Sequence, residues 1–405
     1  MFDNIKDALE YIESKRVRRS LDEFKETLEK CNIDVKQKNM IHIAGTNGKG
    51  STVNYLRSIL NAHGYTVGTF TSPYLITHND RIRIDDKPIS DEQLLYYINK
   101  NYDVIEEDGL SMFEIDILIM LDYFNMEDLD FRIIETGIGG SRDKTNIIEP
   151  VISAITNIGM DHTELLGESL FEICDEKMGI IKTGQIFVTS ETNGVLLTKL
   201  QQRCDEVEAR MVVVPEYQVY TYPFQFSYRD MDFVLENQGI YQVSNARLAL
   251  TIASKLIKLH SDSTIKAVEE ANWKGRFEVL DYKNVKVSID GAHNVPGIQS
   301  LIQTLSVKKA ENVSVVFSCL GDKDMDYMLD MLLAKGFTVY LTSFSDDRAI
   351  DVKKVKPRAG MIITESYQEA IKAAYLKKTQ IVVTGSLHFI SSVRRYLIDL
   401  KKQEG

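Results

Sequence analysis

The segment His42-Ile43-Ala44-Gly45-Thr46-Asn47-Gly48-Lys49-Gly50-Ser51-Thr52 holds the densest chemistry in the chain. It lies between an apolar run that reads as a strand and a stretch that reads as a helix, the setting a phosphate loop requires. Gly45, Gly48 and Gly50 let backbone N–H groups approach an anion. The following helix N-terminus adds partial positive charge and Lys49 a full one. The general pattern G-x-x-x-x-G-K-[ST] is not strictly met. Its first position falls on Ile43, and Gly50 follows Lys49, with Ser51 next. The plain alternative is a glycine-rich turn that binds nothing.

Other strand ends carry polar residues. Phe131-Arg132-Ile133-Ile134-Glu135 ends in a carboxylate followed by Thr136-Gly137, where a Mg²⁺ ligand is expected in a phosphate-loop enzyme. In Thr156-Asn157-Ile158-Gly159-Met160-Asp161-His162, His162 has the chemistry of a metal ligand, with Asp161 to orient it. Asp290-Gly291-Ala292-His293-Asn294 repeats the arrangement further along, and strand ends are where α/β sheets bind ligands. Lys177, in Asp175-Glu176-Lys177-Met178-Gly179-Ile180-Ile181-Lys182, reads by itself as a surface lysine on a helix.

The elements that must position these residues follow from periodicity. Strands are expected at Met40–Ala44, Val67–Phe70, Phe131–Glu135, Val151–Ile155 and Ile186–Thr189, with helices between them and a long polar loop over Thr71–Ser90. This is the rhythm of a mostly parallel sheet covered on both faces. Helices are read at about Lys49–His63, Asp91–Ile105 and Phe113–Phe124, after two short ones that open the chain. From Met211 to Leu235 aromatic and β-branched residues alternate, which suggests an antiparallel insert. A second βα series then uses Lys286–Asp290, Val313–Ser318, Thr338–Thr342 and Ile381–Thr384. A domain boundary is expected near Trp273–Leu280.

With 405 residues the chain suits two domains. A net charge of −11 argues against a general binder of nucleic acid or anionic membrane. No apolar run reaches the ~18 residues of a membrane span. The start, MFDNIKDALEYIESK, is acidic and amphipathic, unlike a signal or transit peptide. Cys31, Cys174, Cys204 and Cys319 form no C-x-x-C pair and read as scattered reduced thiols of a cytoplasmic protein.

Taken in order, HIAGTNGKGST, TSPYL, NDRI, ETGIGG, DKTN, MDHTELLG, EKMGIIK, GRFEVL, DGAHN, GDKD and TGSLHF resemble the folylpolyglutamate synthase/dihydrofolate synthase branch of the Mur ligase family. The resemblance implies an α/β protein. Residues 1–274 would form an ATP-binding, P-loop ATPase domain with a mostly parallel sheet, and residues 275–405 a smaller Rossmann-like glutamate-ligase domain, with the reaction in the cleft between them. It implies an ATP- and Mg²⁺-dependent ligase that adds L-glutamate to a folate-type carboxylate through an acyl phosphate and that possibly also makes dihydrofolate from dihydropteroate. Small-molecule substrates, a monomer, and neither nucleic-acid nor membrane partner are expected.

The resemblance also implies roles. Thr46, Asn47, Gly48, Lys49, Gly50 and Ser51 would hold the ATP phosphates, and Asn245, Arg276 and Asp290 would contact the nucleotide. Ser72, Glu135 and His162 match Mg²⁺ ligands. Lys177 matches a lysine that the family carbamylates, which turns a cation into a metal-binding anion. Lys49, His162, Lys177 and His293 are the catalytic candidates. Two positions depart from the family: Arg142 stands one place later in the glycine loop, and Val295 separates Asn294 from Pro296. Both departures bear on the acceptor, for which Arg81, Arg83, Arg142 and Lys144 are candidate positive charges; their alternative is ordinary solvated surface charge. Two rivals stand beside the folate reading: a ligase for a non-folate acid, and a nucleotide-dependent switch without ligase chemistry.

Overall fold

The computed structural model describes residues 1–17, 19–236 and 238–404. They divide into two compact units. One comprises Met1–Glu216 with Ser244–Ala271, and the other Tyr217–Val243 with Asn272–Gly405.

The first unit is built on β1 (Met40–Ala44), β2 (Val67–Phe70), β3 (Ile82–Ile84), β4 (Lys87–Pro88), β5 (Phe131–Glu135), β6 (Ile152–Ile155), β7 (Ile186–Thr189) and β8 (Arg210–Val213). Their order in the sheet is β4-β3-β2-β5-β1-β6-β7-β8. The strands from β2 to β8 run parallel, and β3 and β4 add an antiparallel edge. β1, β5 and β6 are buried along their whole length, which is why they read as unbroken apolar runs. Helix Met112–Met126 is buried almost all round, from Glu114 to Phe124. It joins the core that covers one face of the sheet. Ile155, Ile173, Ile180, Phe187 and Leu200 belong to a second core. Helix Lys49–Ala62 buries Val53, Leu56, Ile59 and Leu60, each worth about 1.5–3 kcal/mol relative to exposure. That packing fixes the direction in which the helix N-terminus points.

The second unit begins with a hairpin, β9 (Phe224–Tyr228) and β10 (Met231–Leu235), turning at Arg229 with φ 55°. Its sheet holds β11 (Glu278–Tyr282), β12 (Val285–Ile289), β13 (Val313–Phe317), β14 (Thr338–Leu341), β15 (Met361–Ile363) and β16 (Gln380–Thr384) in the order β11-β12-β16-β13-β14-β15. Only β11 pairs antiparallel.

Some expectations differ from what forms. The expected loop at 71–90 contains a 3₁₀ turn, His78–Arg81, and the edge strands β3 and β4. Asp85 and Asp86 take positive φ (47° and 68°) and supply the tight turn between them. The helix expected over 91–105 breaks at Asn101 into Asp91–Lys100 and Tyr102–Glu107. Within the expected antiparallel insert, β8 pairs parallel with β7, and only β9 and β10 are antiparallel. Alternation marks a half-buried strand but does not name its partner. A single cut at 274/275 keeps Tyr217–Val243 with the first domain, whereas the structure groups that segment with the C-terminal residues. Its attachments explain why: Ile240 N donates to Thr304 Oγ1 (3.0 Å), and the Lys308 ammonium lies 3.6 Å from the Tyr222 ring centre.

Candidate active site

The sheet register assembles the first unit's candidates at one edge. Ile43 of β1 lies beside Glu135 of β5, and Ala44 beside Ile155 of β6. The loop leaving β1 therefore emerges between the residues that follow β5 and β6. Thr46 N donates to Asn157 O (2.9 Å), and Gly159 N to Thr46 Oγ1 (3.0 Å). Asn47 N donates to Asn157 Oδ1 (3.0 Å), and Asn47 O accepts from Asn157 Nδ2 (3.0 Å) and Thr156 Oγ1 (2.6 Å). Asn157 thus clamps the loop through both ends of its amide. Neighbouring residues drew attention in the sequence, but Asn157 did not, because its partner lies far away in the chain.

Gly48 caps helix Lys49–Ala62 with φ 86°, a left-handed conformation that favours glycine. A Cβ there would also run into the Asn245 side chain, so the structure brings Asn245 of helix Gln242–Leu256 against the loop. Lys49 Nζ curls over the loop and donates to Gly45 O (3.1 Å) and Thr46 O (3.4 Å). Gly50 lies in the helix's first turn. Ser51 is 1% exposed, and its hydroxyl has no hydrogen-bond partner among the described residues. The buried Thr136 hydroxyl, next to Glu135, is likewise unpartnered. Orphaned buried hydroxyls are uncommon and fit a site that binds polar oxygen.

Ser72 N donates to Glu135 Oε2 (3.4 Å), which joins the residues after β2 and at the end of β5. His162 is half-buried and left-handed (φ 50°), and its N–H donates to Asp161 Oδ1 (3.0 Å). Its ring nitrogen Nε2 lies 4.0 Å from Asp161 Oδ2, so Asp161 fixes the backbone more firmly than the imidazole. Among the described residues no three of His, Cys, Asp or Glu converge into a ready-made metal centre. A hydroxyl and a carboxylate fit Mg²⁺, which takes oxygen ligands and binds phosphates and water through few protein groups, whereas an imidazole is a less usual ligand for it.

Lys177, unlike the surface lysine its sequence context suggests, is 2% exposed. Burial and the nearby charge of Lys49 push its pKa down to about 7, against the opposing pull of Asp161, Asp143 and Glu176. Its ammonium makes no hydrogen bond or ion pair among the described residues. The glycine loop packs against the turn that carries it: a Cβ on Gly140 would lie 2.5 Å from Glu176 O and 2.7 Å from Lys177 O.

The charges considered for an acceptor are held otherwise. Arg81 and Arg83 are buried; Arg83 pairs with Asp80 (2.8 Å) and Asp86 (3.2 Å). Lys144 donates to the carbonyls of Arg19 and Ser20 and lies 3.1 Å from the buried Glu114. Arg142 is exposed and pairs with Glu176 (2.7 Å).

In the second unit, Asp290 is buried and fully engaged. Oδ1 accepts from Ala292 N (2.9 Å), and Oδ2 from Phe277 N (2.9 Å) and the Tyr241 hydroxyl. Burial raises its pKa despite these bonds and the nearby Arg276. A Cβ on Gly291 would strike the Arg276 guanidinium, so that side chain lies across the backbone after β12. His293 is half-buried, and its Nδ1 donates to Gly291 O (2.7 Å).

Comparison with known proteins supplies the context. Residues 43–253 match the family model of the Mur ligase middle domain, and residues 275–387 that of the Mur ligase glutamate ligase domain. The chain is 35% identical to the dihydrofolate synthase/folylpolyglutamate synthase of Bacillus subtilis (strain 168), across 98% of this chain and 100% of that one. It resembles the solved folylpolyglutamate synthase of Mycobacterium tuberculosis complexed with ADP and AMPPCP, with TM-score 0.86, 26% identity and coverage of 97% and 99%. It also resembles a solved FPGS–AMPPCP–folate complex, with TM-score 0.83, 28% identity and the same coverage.

Proposed function

The chain belongs to the folylpolyglutamate synthase/dihydrofolate synthase branch of the Mur ligase family, and from this we infer an ATP- and Mg²⁺-dependent ligase that adds L-glutamate to a folate-type carboxylate. The carrying observation is the full-length match to a dihydrofolate synthase/folylpolyglutamate synthase, together with a phosphate loop clamped at the carboxyl edge of the sheet. Its substrates are small molecules: ATP, L-glutamate, and folate or dihydropteroate. Among the described residues no helix is long and apolar enough to cross a membrane. We assign the cytoplasm as its location.

Bound MgATP would supply the γ-phosphoryl group that activates the acceptor carboxylate as an acyl phosphate, with ADP released; attack by the glutamate amine would then form the amide with loss of phosphate and a proton. The residues of this chain have distinct tasks in that reaction. Backbone N–H groups of the 45–51 loop, the helix N-terminus, Lys49 and Ser51 hold anionic phosphate oxygens. Ser72, Glu135 and His162 hold the cation. Asn245, Arg276 and Asp290 serve the nucleotide, with Asp290 acting through the Phe277–Arg276 turn that it ties down. A pKa near 7 leaves much of Lys177 as free amine at neutral pH. That amine can attack CO₂, forming an N–C bond and releasing a proton to give a carbamate anion. His293 is the catalytic candidate of the second unit.

The test is purified protein with ATP, Mg²⁺, L-glutamate and either tetrahydrofolate or dihydropteroate. ADP release coupled to a glutamylated product is expected. Neither product nor ADP with both acceptors would defeat the folate reading, and a panel of other acids would then identify the acceptor. Lys49→Ala, Glu135→Ala and His162→Ala are each expected to lower kcat/KM by about 10²–10³-fold or more with folding retained. Full activity in all three would refute the site map.

A further inference from the structure

We propose that His78 is a positioning residue, the centre of a chain Glu13–His78–Asp116–Arg81, buried except at Glu13, that holds the Ser72 hydroxyl in place beside Glu135. The proposal rests on the reading of Ser72 as a cation ligand.

The His78 side chain is 3% exposed and bridges two helices. Nδ1 lies 2.9 Å from Glu13 Oε1 on helix Ile5–Ser14, and Nε2 2.7 Å from Asp116 Oδ1 on helix Met112–Met126. A neutral imidazole has one N–H and could serve only one of these carboxylates; the other contact would set lone pair against lone pair. Both contacts are satisfied together only by an imidazolium. Burial by itself would lower the ring's pKa, but Asp116 and Glu13 outweigh burial and Arg81 and raise it to about 9.

The chain continues toward the site. Asp116 Oδ2 lies 3.4 Å from Arg81 Nε, an ion pair without hydrogen-bond alignment, and Arg81 Nη1 donates to Ser72 Oγ at 3.1 Å. Arg81 is 5% exposed, and its carbonyl accepts from Thr71 N (2.9 Å). Tyr74 backs the group: its hydroxyl donates to Glu13 Oε1 (3.1 Å), and its ring centre lies 5.4 Å from the His78 ring and 5.2 Å from the Arg81 guanidinium. Two carboxylates, of which Asp116 is buried and Glu13 partly exposed, thus face an imidazolium and a guanidinium. Without the imidazolium, the buried Asp116 would be left facing Arg81, while the partly exposed Glu13 would still reach water. Arg81 would then turn toward Asp116 and release Ser72, because an unpaired buried carboxylate is costly.

The experiment measures AMPPCP affinity with and without Mg²⁺ by calorimetry, in the wild type, Ser72→Ala, His78→Gln and the double variant. The factor by which Mg²⁺ tightens binding is expected to fall about tenfold in each single variant and no further in the double, since the two act through one hydroxyl. In His78→Gln, affinity without Mg²⁺ should stay within about twofold. Arg81→Lys keeps the charge but cannot span from Asp116 to Ser72, so it should reproduce the loss and provides a second route if His78→Gln folds poorly. An undiminished factor in both His78→Gln and Arg81→Lys overturns the inference, as does a double variant whose loss is the product of the two singles; either leaves the cation reading standing. An undiminished factor in Ser72→Ala overturns that reading, and the inference with it.

Discussion

Two buried cations of the first unit titrate in opposite senses. His78 has a folded pKa raised from 6.5 to about 9, so the stability it contributes is complete below 6.5 and lost as pH rises through about 9. Lys177 has a folded pKa lowered from 10.5 to about 7. The unfolded chain binds that proton more tightly, so stability gains as pH rises from about 7 toward 10.5. The two effects oppose each other between about pH 7 and 9. In urea melts under CO₂-free buffer, Lys177→Met is expected to lose more stability than the wild type between those pH values, and His78→Gln less. Parallel pH profiles in all three proteins would refute the assignment. Lys177→Ala activity is expected to return in part with added short carboxylates, which would replace the carbamate; no recovery would count against carbamylation. Neither cation was legible as special from its own sequence neighbourhood. Burial depends on what packs from elsewhere: Lys177 drew attention only through the family resemblance, and the Glu13 and Asp116 partners of His78 lie far off in the chain.

At the scale of elements, helix Met112–Met126 links fold and site. Its capping box is unusual, because the N3 residue is fully buried. Glu114 Oε2 accepts from Ser111 N (2.9 Å) and Ser111 Oγ (2.7 Å), while Oε1 faces Lys144 at 3.1 Å. Lys144 in turn ties down the carbonyls of Arg19 and Ser20. Ser111→Ala is expected to cost about 1–2 kcal/mol, the upper part of the usual range for a lost cap; a loss well under that in chemical denaturation would show that water takes over the role. Strands with long apolar runs and the helix after the phosphate loop were legible, because burial on both faces or on one stripe leaves a local periodic trace. The edge strands β3 and β4 were not, since a short polar edge carries little hydrophobic pattern. β11 was hidden for a related reason: it pairs antiparallel with β12 through a turn at Lys283 and Asn284, both at positive φ (46° and 64°), which are not the Asn-Gly or Asp-Gly pairs that mark such turns most strongly.

At the scale of the molecule, ligand linkage provides a check. A nucleotide held by the 45–51 loop stabilises the unit that contains it by about 2.7 kcal/mol at a hundredfold excess over Kd. Scanning calorimetry with AMPPCP and Mg²⁺ is expected to raise the transition of the unit that includes Met1–Glu216, and Lys49→Ala to abolish most of the shift. Stabilisation that survived Lys49→Ala undiminished would move the nucleotide elsewhere.

The chain itself carried the α/β class, the glycine-rich loop between β1 and its helix, and the family. Each rests on local order, whether an apolar run, a glycine spacing or a series of short motifs, and local order survives without coordinates. Tertiary structure alone decided that Asn157 clamps the loop, that Lys177 is buried, that Lys144 and Arg83 are spoken for within the fold, and that Tyr217–Val243 joins the C-terminal unit. These depend on which distant residues meet. A charge becomes a structural brace or a chemical group according to the partners and the dielectric that packing brings to it.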